Sequence, residues 1–330
     1  MKPIIGITIG DFNGIGPEVA LKSVCLTEVK KICQPILIGS AEIFLHYAKL
    51  FGISAKITSF NNIEDAKNCK NIPCVDVYTG SSKQLQIGKP SPDSGICSGK
   101  SIEEAVKFCL NKSIDAFVTS PTSKESLHFA GYNFPGQTEM IAMLSRSDKV
   151  IMILASPKMK VGLITVHTPI KEVASLITYQ RILDKTELFW NSLQNDFKIK
   201  NPKIAMLGLN PHAGENGVLG KEEIEIIIPA IQKLNLKGIN ISGPFSSDGF
   251  FASNLKNNFD GILAMYHDQG LIPFKMNNFE DGVNYSAGLK IIRTSPDHGT
   301  AFPIAGKGIA DFKSMISAIK LAANISKNKN

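Results

Sequence analysis

The chain has 330 residues, 43% of them hydrophobic and 20% charged, with a formal net charge of +7. That length supports a full core in one or two domains, and the ordinary composition excludes fibrous and disordered classes. The lysines are interleaved with acids, and the one basic run, residues 326–330, reads as a solvated tail, so neither a nucleic-acid surface nor a membrane partner is expected.

In chain order, short apolar runs are predicted as strands at residues 4–9, 35–38, 74–78, 116–119, 150–154, 161–166, 204–209 and 261–266. Helical spacing is predicted over residues 17–29, 41–51, 101–110, 171–193 and 221–234. Continuous apolar strands alternating with helices indicate an α/β protein with a largely parallel, doubly covered sheet. The first run reads as a strand rather than a signal peptide. The six cysteines, at positions 25, 33, 69, 74, 97 and 109, form no Cys-x-x-Cys pair, which points to a reduced, cytoplasmic setting.

Three histidines each follow an apolar run: His167 after 161–166, His212 after 204–211, and His267 after 261–266. In open α/β sheets the strand carboxyl ends share one edge, where ligands bind. Three imidazoles without a fourth protein ligand suit a divalent ion that keeps one position open for Lewis-acid chemistry. His46 and His128 fall inside helical stretches and read as structural.

After His267 come Lys275, Asn284 and Arg293, nine residues apart each time. A Lys point charge and an Arg fork are the usual means of holding phosphate and carboxylate. Asp248 and Asp268 are the acids nearest the histidine segments and are candidates for a base or for orienting a ligand. The loop Gly10-Asp11-Phe12-Asn13-Gly14-Ile15-Gly16-Pro17 lacks the third glycine of a dinucleotide fingerprint and the Gly-Lys-Ser/Thr of a P-loop. It reads as a tight turn with Pro17 opening a helix, and its glycines could let a ligand approach the backbone.

Five segments together resemble the 4-hydroxythreonine-4-phosphate dehydrogenase family, NAD-dependent enzymes of pyridoxal 5′-phosphate synthesis. They are Gly14-Ile15-Gly16-Pro17-Glu18, Gly136-Gln137-Thr138-Glu139, Leu209-Asn210-Pro211-His212-Ala213-Gly214-Glu215, Met265-Tyr266-His267-Asp268-Gln269-Gly270, and Arg293-Thr294-Ser295-Pro296-Asp297-His298-Gly299-Thr300-Ala301. The resemblance implies an isocitrate/isopropylmalate dehydrogenase-like α/β/α sandwich of two domains with the active site in the cleft between them. It implies a cofactor domain of about residues 1–127 plus 288–330, and a metal, substrate and dimerisation domain of about 128–287. His167, His212 and His267 would hold one divalent ion (zinc, magnesium, manganese or cobalt) in a site shared across a homodimer, His267 coming from the partner subunit. Gln137, Thr138, Lys275, Asn284 and Arg293 would contact the phosphorylated substrate. Asp297, His298, Gly299, Thr300 and Ala301 would serve NAD. Two positions depart from the family pattern: Gln137 stands where the family usually has His, and Ser123 where it often has His.

The chemistry implied is oxidation of 4-phosphohydroxy-L-threonine at C3, with Asp248, Asp268 or Lys275 as the base, giving a β-keto acid that loses CO₂. Gln137 keeps alive a sister dehydrogenase for another phosphorylated hydroxy acid, such as threonate or erythronate phosphate. An acyl- or phosphotransferase of the same general fold is a third reading, which needs no three-histidine metal.

Overall fold

The computed structural model describes residues 2–329; Met1 and Asn330, the end of the basic tail, lie outside the described residues. The chain divides into two compact bodies. One runs to Asp148 and resumes over Leu289–Asn328, and the other is Lys149–Gly288 with Lys329. The first crossing falls at Asp148, later than the boundary near residue 127 that the sequence suggested. The helix Pro92–Leu110 keeps the intervening segment in the first body: a Cβ on Gly99 would strike the Tyr132 ring at 2.1 Å.

The first body carries β1 (Ile4–Thr8), β2 (Gln34–Gly39), β3 (Ile57–Phe60), β4 (Ile72–Asp76), β5 (Ala116–Val118) and β12 (Arg293–Pro296), in the order β3-β4-β2-β1-β5-β12. Every pairing among them is parallel. Parallel strands are covered on both faces, which is why β1, β2 and β5 read as unbroken apolar runs. β3 and β12 carry Thr, Ser and Arg, so apolar continuity did not reveal them. The expected helix over 17–29 is two, Gly16–Cys25 and Thr27–Ile32, separated at Leu26, whose backbone is extended. The helix expected at 101 begins at Pro92, where the Ser91 hydroxyl caps it by accepting from Ser94 N (3.2 Å). The expected frayed tail instead continues the helix Lys313–Lys329, because Ile325 and Ser326 are buried.

The second body carries β6 (Ile151–Ala155), β7 (Lys160–Leu163), β8 (Ile204–Leu207), β9 (Ile241–Phe245), β10 (Gly261–Ala264) and β11 (Val283–Ala287), in the order β11-β6-β7-β10-β8-β9. β7, β10, β8 and β9 are parallel, whereas β11-β6 and β6-β7 are antiparallel, so this sheet is mixed. One face is packed by Met152, Leu154, Val161, Leu163, Ile262 and Ala264 against Leu271 and Phe274 of the helix His267–Asn278. Burying those two helix side chains stabilises the docking by roughly 1.5–3 kcal/mol each. Gly270 lets the helix come close, since a Cβ there would meet Leu163 at 2.9 Å and Val161 at 3.0 Å. The expected helix 171–193 is interrupted at Thr178, which caps Tyr179–Asn195 by accepting from Arg181 N. The stretch expected as a helix over 221–234 opens with a π turn, Glu223–Ile227, before the α-helix Ile228–Leu236. Among the described residues no helix is long and apolar enough to cross a membrane.

Candidate active site

The three histidines all belong to the second body, and each follows the carboxyl end of one of its parallel strands, β7, β8 or β10. His167 follows β7 in an exposed loop. His267 lies just past the end of β10, which stops at Ala264, and is the first residue of the helix His267–Asn278, with Tyr266 at the N-cap position. The rings of His167 and His267 lie 5.8 Å apart, centroid to centroid, at 42°. They line one concavity of about 320 Å³ with Tyr266 and Asp268. His267 Nδ1 is 2.7 Å from Asp268 Oδ1, a contact that fixes the ring's orientation and frees Nε2. His212 lines a second concavity of about 320 Å³ with Asn210, Asp248 and Gln269, which also reaches Tyr266. Among the described residues of one chain no group of three His, Cys, Asp or Glu side chains is arranged to hold a metal. The donor chemistry present is therefore an imidazole pair, with the third imidazole in the adjoining concavity.

His212 sits in an unusual backbone. His212, Ala213, Gly214, Glu215 and Asn216 all have positive φ, between 43° and 82°, forming a left-handed turn. For L-residues such a turn costs ~1–2 kcal/mol per residue, so the surroundings must impose it. The buried carboxylate of Glu223 accepts from Leu209 N (2.7 Å), Asn210 N (2.8 Å) and Asn210 Nδ2 (2.9 Å). Gln269 accepts from Met265 N (2.6 Å) and donates to Gly208 O (2.6 Å) and Ser247 Oγ (2.7 Å). That one amide ties the His267 helix to the His212 loop and to the helix Ser247–Ala252, which carries Asp248. Asp248 is exposed; the Ser246 hydroxyl holds its carboxyl below the usual range, aided by the Gly249 N–H and by nearby His212.

Lys275 is half-buried two turns beyond His267, and these positions share one helix face. Asn284 lies on β11, where its buried Oδ1 has no hydrogen-bond partner. A buried amide oxygen is costly to leave unmatched, so Asn284 has an acceptor to offer a ligand donor.

The first body contributes the other expected anion contacts. Arg293 on β12 is only 2% exposed. Its Nε and Nη2 donate to Thr119 Oγ1 at 3.0 and 2.6 Å, and Nη2 donates to Gln137 Oε1 at 3.0 Å. Burial pulls the guanidinium down to about 10, opposed by the charge of Glu139, so it stays charged at neutrality. Gln137 opens the helix Gln137–Leu144, and its Nε2 donates to Thr122 Oγ1. The amide is thus oriented from both ends, oxygen toward Arg293 and nitrogen toward Thr122. Thr138 and Glu139 follow half-buried in the same first turn, and Glu139 Oε2 is a second buried atom without a hydrogen-bond partner. Ser123 serves the local backbone, because its hydroxyl accepts from Ser126 N (3.1 Å) and caps the helix Lys124–Phe129.

The segment expected to serve the cofactor also lies in the first body. Asp297 N donates to Ser314 Oγ (3.1 Å), and His298 Nδ1 is 3.2 Å from Gly299 O. Thr300 O accepts from Ile15 N (3.0 Å), while a Cβ on Gly14 would meet that same oxygen at 2.8 Å. Ala301, left-handed at φ 44°, then starts the short helix Phe302–Ile304. The glycine loop 10–16 is therefore the floor on which residues 297–301 rest.

Sequence reasoning passed over Thr119, Glu139, Glu223 and Gln269. Gln269 lies two residues from His267 inside a motif already singled out, a usable signal. Glu223 had none, since it looks like one more acid in the run Glu222-Glu223-Ile224-Glu225.

The class comes from the fold, which is that of two-domain α/β dehydrogenases. The solved 4-hydroxythreonine-4-phosphate dehydrogenase of Klebsiella pneumoniae matches with a TM-score of 0.87 at 34% identity, covering 99% of this chain and 98% of that one. A family model described as pyridoxal phosphate biosynthetic protein PdxA matches residues 31–322. The 4-hydroxythreonine-4-phosphate dehydrogenase of Bacteroides thetaiotaomicron is 42% identical over 328 residues, 98% of this chain and 89% of the relative. The D-threonate 4-phosphate dehydrogenase of Cupriavidus necator is 40% identical, over 98% of this chain and 97% of the relative. The chain belongs to the PdxA family and is an oxidoreductase.

Proposed function

We propose that the protein oxidises 4-phosphohydroxy-L-threonine at C3 with NAD⁺, giving a β-keto acid that decarboxylates to 3-amino-2-oxopropyl phosphate in pyridoxal 5′-phosphate synthesis. The observation that carries this reading is the end-to-end likeness to the Bacteroides thetaiotaomicron enzyme.

His167, His212 and His267 would hold a divalent ion (zinc, magnesium, manganese or cobalt), which supplies Lewis-acid polarisation of the substrate hydroxyl. Residues 297–301 would hold NAD⁺, which supplies the hydride acceptor. In the homodimer that the family resemblance implies, the site would be shared between two copies, His267 coming from the partner subunit. Ile272 and Met276 on the helix that starts at His267, and Phe279 just past its end, support that reading: they stand 57%, 81% and 83% exposed, an apolar stripe suited to a homodimer contact.

Arg293, Thr138, Lys275 and Asn284 would bind the anionic ends of the substrate, and Arg293 is the strongest of them because its charge is already desolvated and aimed. Asp268 orients His267 through Nδ1. That leaves Asp248 and Lys275 to take the hydroxyl proton as the C3 hydride leaves; the C–CO₂⁻ bond then breaks with its electron pair retained on the substrate and protonated. Asp248→Asn and Lys275→Met separate the two, since the variant that loses the base loses kcat by about a hundredfold or more. All six cysteines are free thiols, which supports a reducing cytoplasmic setting.

The test is NADH formation from 4-phosphohydroxy-L-threonine with added divalent metal, run beside D-threonate 4-phosphate and erythronate phosphate. A second reading, D-threonate 4-phosphate as substrate, is favoured by the Cupriavidus necator relative and by the neutral amide of Gln137. Turnover of D-threonate 4-phosphate without turnover of the amino substrate would replace the first reading with the second.

A further inference from the structure

We infer that Glu223 is the positioning residue for His212: its buried carboxylate, clamped on the backbone of Leu209 and Asn210, holds the left-handed turn that presents this imidazole. The inference rests on the metal reading above and concerns how the chain prepares that ligand.

Three observations converge. The carboxylate is 1% exposed, and both of its oxygens are used, Oε1 by the Leu209 and Asn210 amides and Oε2 by the Asn210 side chain. Those amides immediately precede the left-handed turn, so fixing them fixes its entry angle. Gly214, in the middle of the turn, has φ +82°, and a Cβ there would come within 2.6 Å of Glu223 Oε2. The turn thus closes down onto the carboxylate itself. A left-handed turn of four non-glycine residues does not persist unassisted. All three N–H groups that Glu223 accepts come from the loop that carries His212, so the brace acts on that histidine through its own backbone.

The experiment uses the full-length protein and Co²⁺ as the probe, with Glu223→Gln and Gly214→Ala as variants. Gln keeps one acceptor but turns an N–H donor toward Asn210 Nδ2, and Ala brings a methyl within 2.6 Å of Glu223 Oε2. Both are expected to weaken Co²⁺ binding about tenfold or more and to alter the shape of its visible ligand-field band. Amide exchange over residues 209–216 should accelerate about tenfold, with exchange across β7 and β10 unchanged. Wild-type exchange rates together with a wild-type Co²⁺ spectrum in both variants would overturn the inference. His212→Ala provides the contrast, losing the Co²⁺ band while the Leu209 and Asn210 amides stay protected. A wild-type protein that shows no Co²⁺ band overturns the metal reading, and the exchange rates then tell that failure apart from failure of the brace.

Discussion

The two bodies prepare their functional side chains in opposite ways. In the first, Arg293 is buried on β12 and its guanidinium is held by Thr119 and by an amide that Thr122 orients in turn. In the second, His167 and His212 are exposed, and the latter rides on a strained loop held from behind by Glu223 and Gln269. On the function proposed above, the difference would follow from what each binds. An anion is gripped best by a cation already stripped of water, whereas imidazoles that were to take an ion together with a second chain would have to stay open at the surface. Precision is built into the contacts of Arg293 itself, but into the second layer behind His212.

Substitutions should separate the two modes by how far function and stability move together. Arg293→Met has the largest expected effect. It strands Thr119 and Gln137 and leaves Glu139 without its countercharge, so urea denaturation should show a loss of about 3 kcal/mol or more. On phosphorylated substrate, kcat/KM should also fall on the order of 10²–10³-fold. His212→Ala should abolish divalent-ion binding by calorimetry yet shift unfolding by no more than about 0.5 kcal/mol, because the side chain is exposed. If His212→Ala destabilised the fold as much as Arg293→Met, the contrast between the bodies would collapse.

Gln137→Glu sharpens the first mode. The new carboxylate would stand where Gln137 Oε1 accepts from Arg293, compete with the substrate's anionic group, and raise KM about tenfold with kcat little changed. Acidifying the assay enough to protonate that carboxylate should lower KM toward the wild-type value measured at the same pH, whereas the wild-type enzyme should show no such recovery because the amide does not titrate. A tenfold fall in kcat at constant KM would instead place Gln137 at the reacting atoms.

The legibility of the chain divides along the same line. Unbroken apolar runs exposed β1, β2, β5, β6, β7, β8 and β10, because burial on both faces leaves that trace. β12 stayed hidden, since its Arg-Thr-Ser-Pro sequence is polar although all four residues are buried. The histidines were legible as a set, but not their settings. His267 opens a helix, and nothing in Asn-Pro-His-Ala-Gly-Glu-Asn announces that four non-glycine residues adopt positive φ. That conformation is imposed from residue 223, and a constraint acting across sequence leaves no local pattern. The same holds for Asp11, which looked like a loop acid and is fully buried.

Asp11 offers the finest test of the buried mode. Its carboxyl accepts from Ser126 Oγ (2.5 Å) and Asn13 N (2.9 Å) beneath the glycine loop that supports residues 297–301. Burial nevertheless outweighs these bonds and holds its pKa above the ordinary aspartate value of 3.8. The folded state therefore binds this proton more tightly than the unfolded state, and stability falls as pH rises from 3.8 through the raised value. Above that window the charged, desolvated form carries the full penalty. Asp11→Asn keeps an acceptor for Asn13 N and offers Ser126 a donor, so it should melt slightly higher than wild type at neutral pH. The gap should narrow on acidification and vanish below the unfolded value, as thermal scans at a series of pH values would record. A variant that melts lower than wild type at neutrality would mean that the bonds from Ser126 and Asn13 depend on the charge, and that the network under the loop is held by an ionised carboxylate.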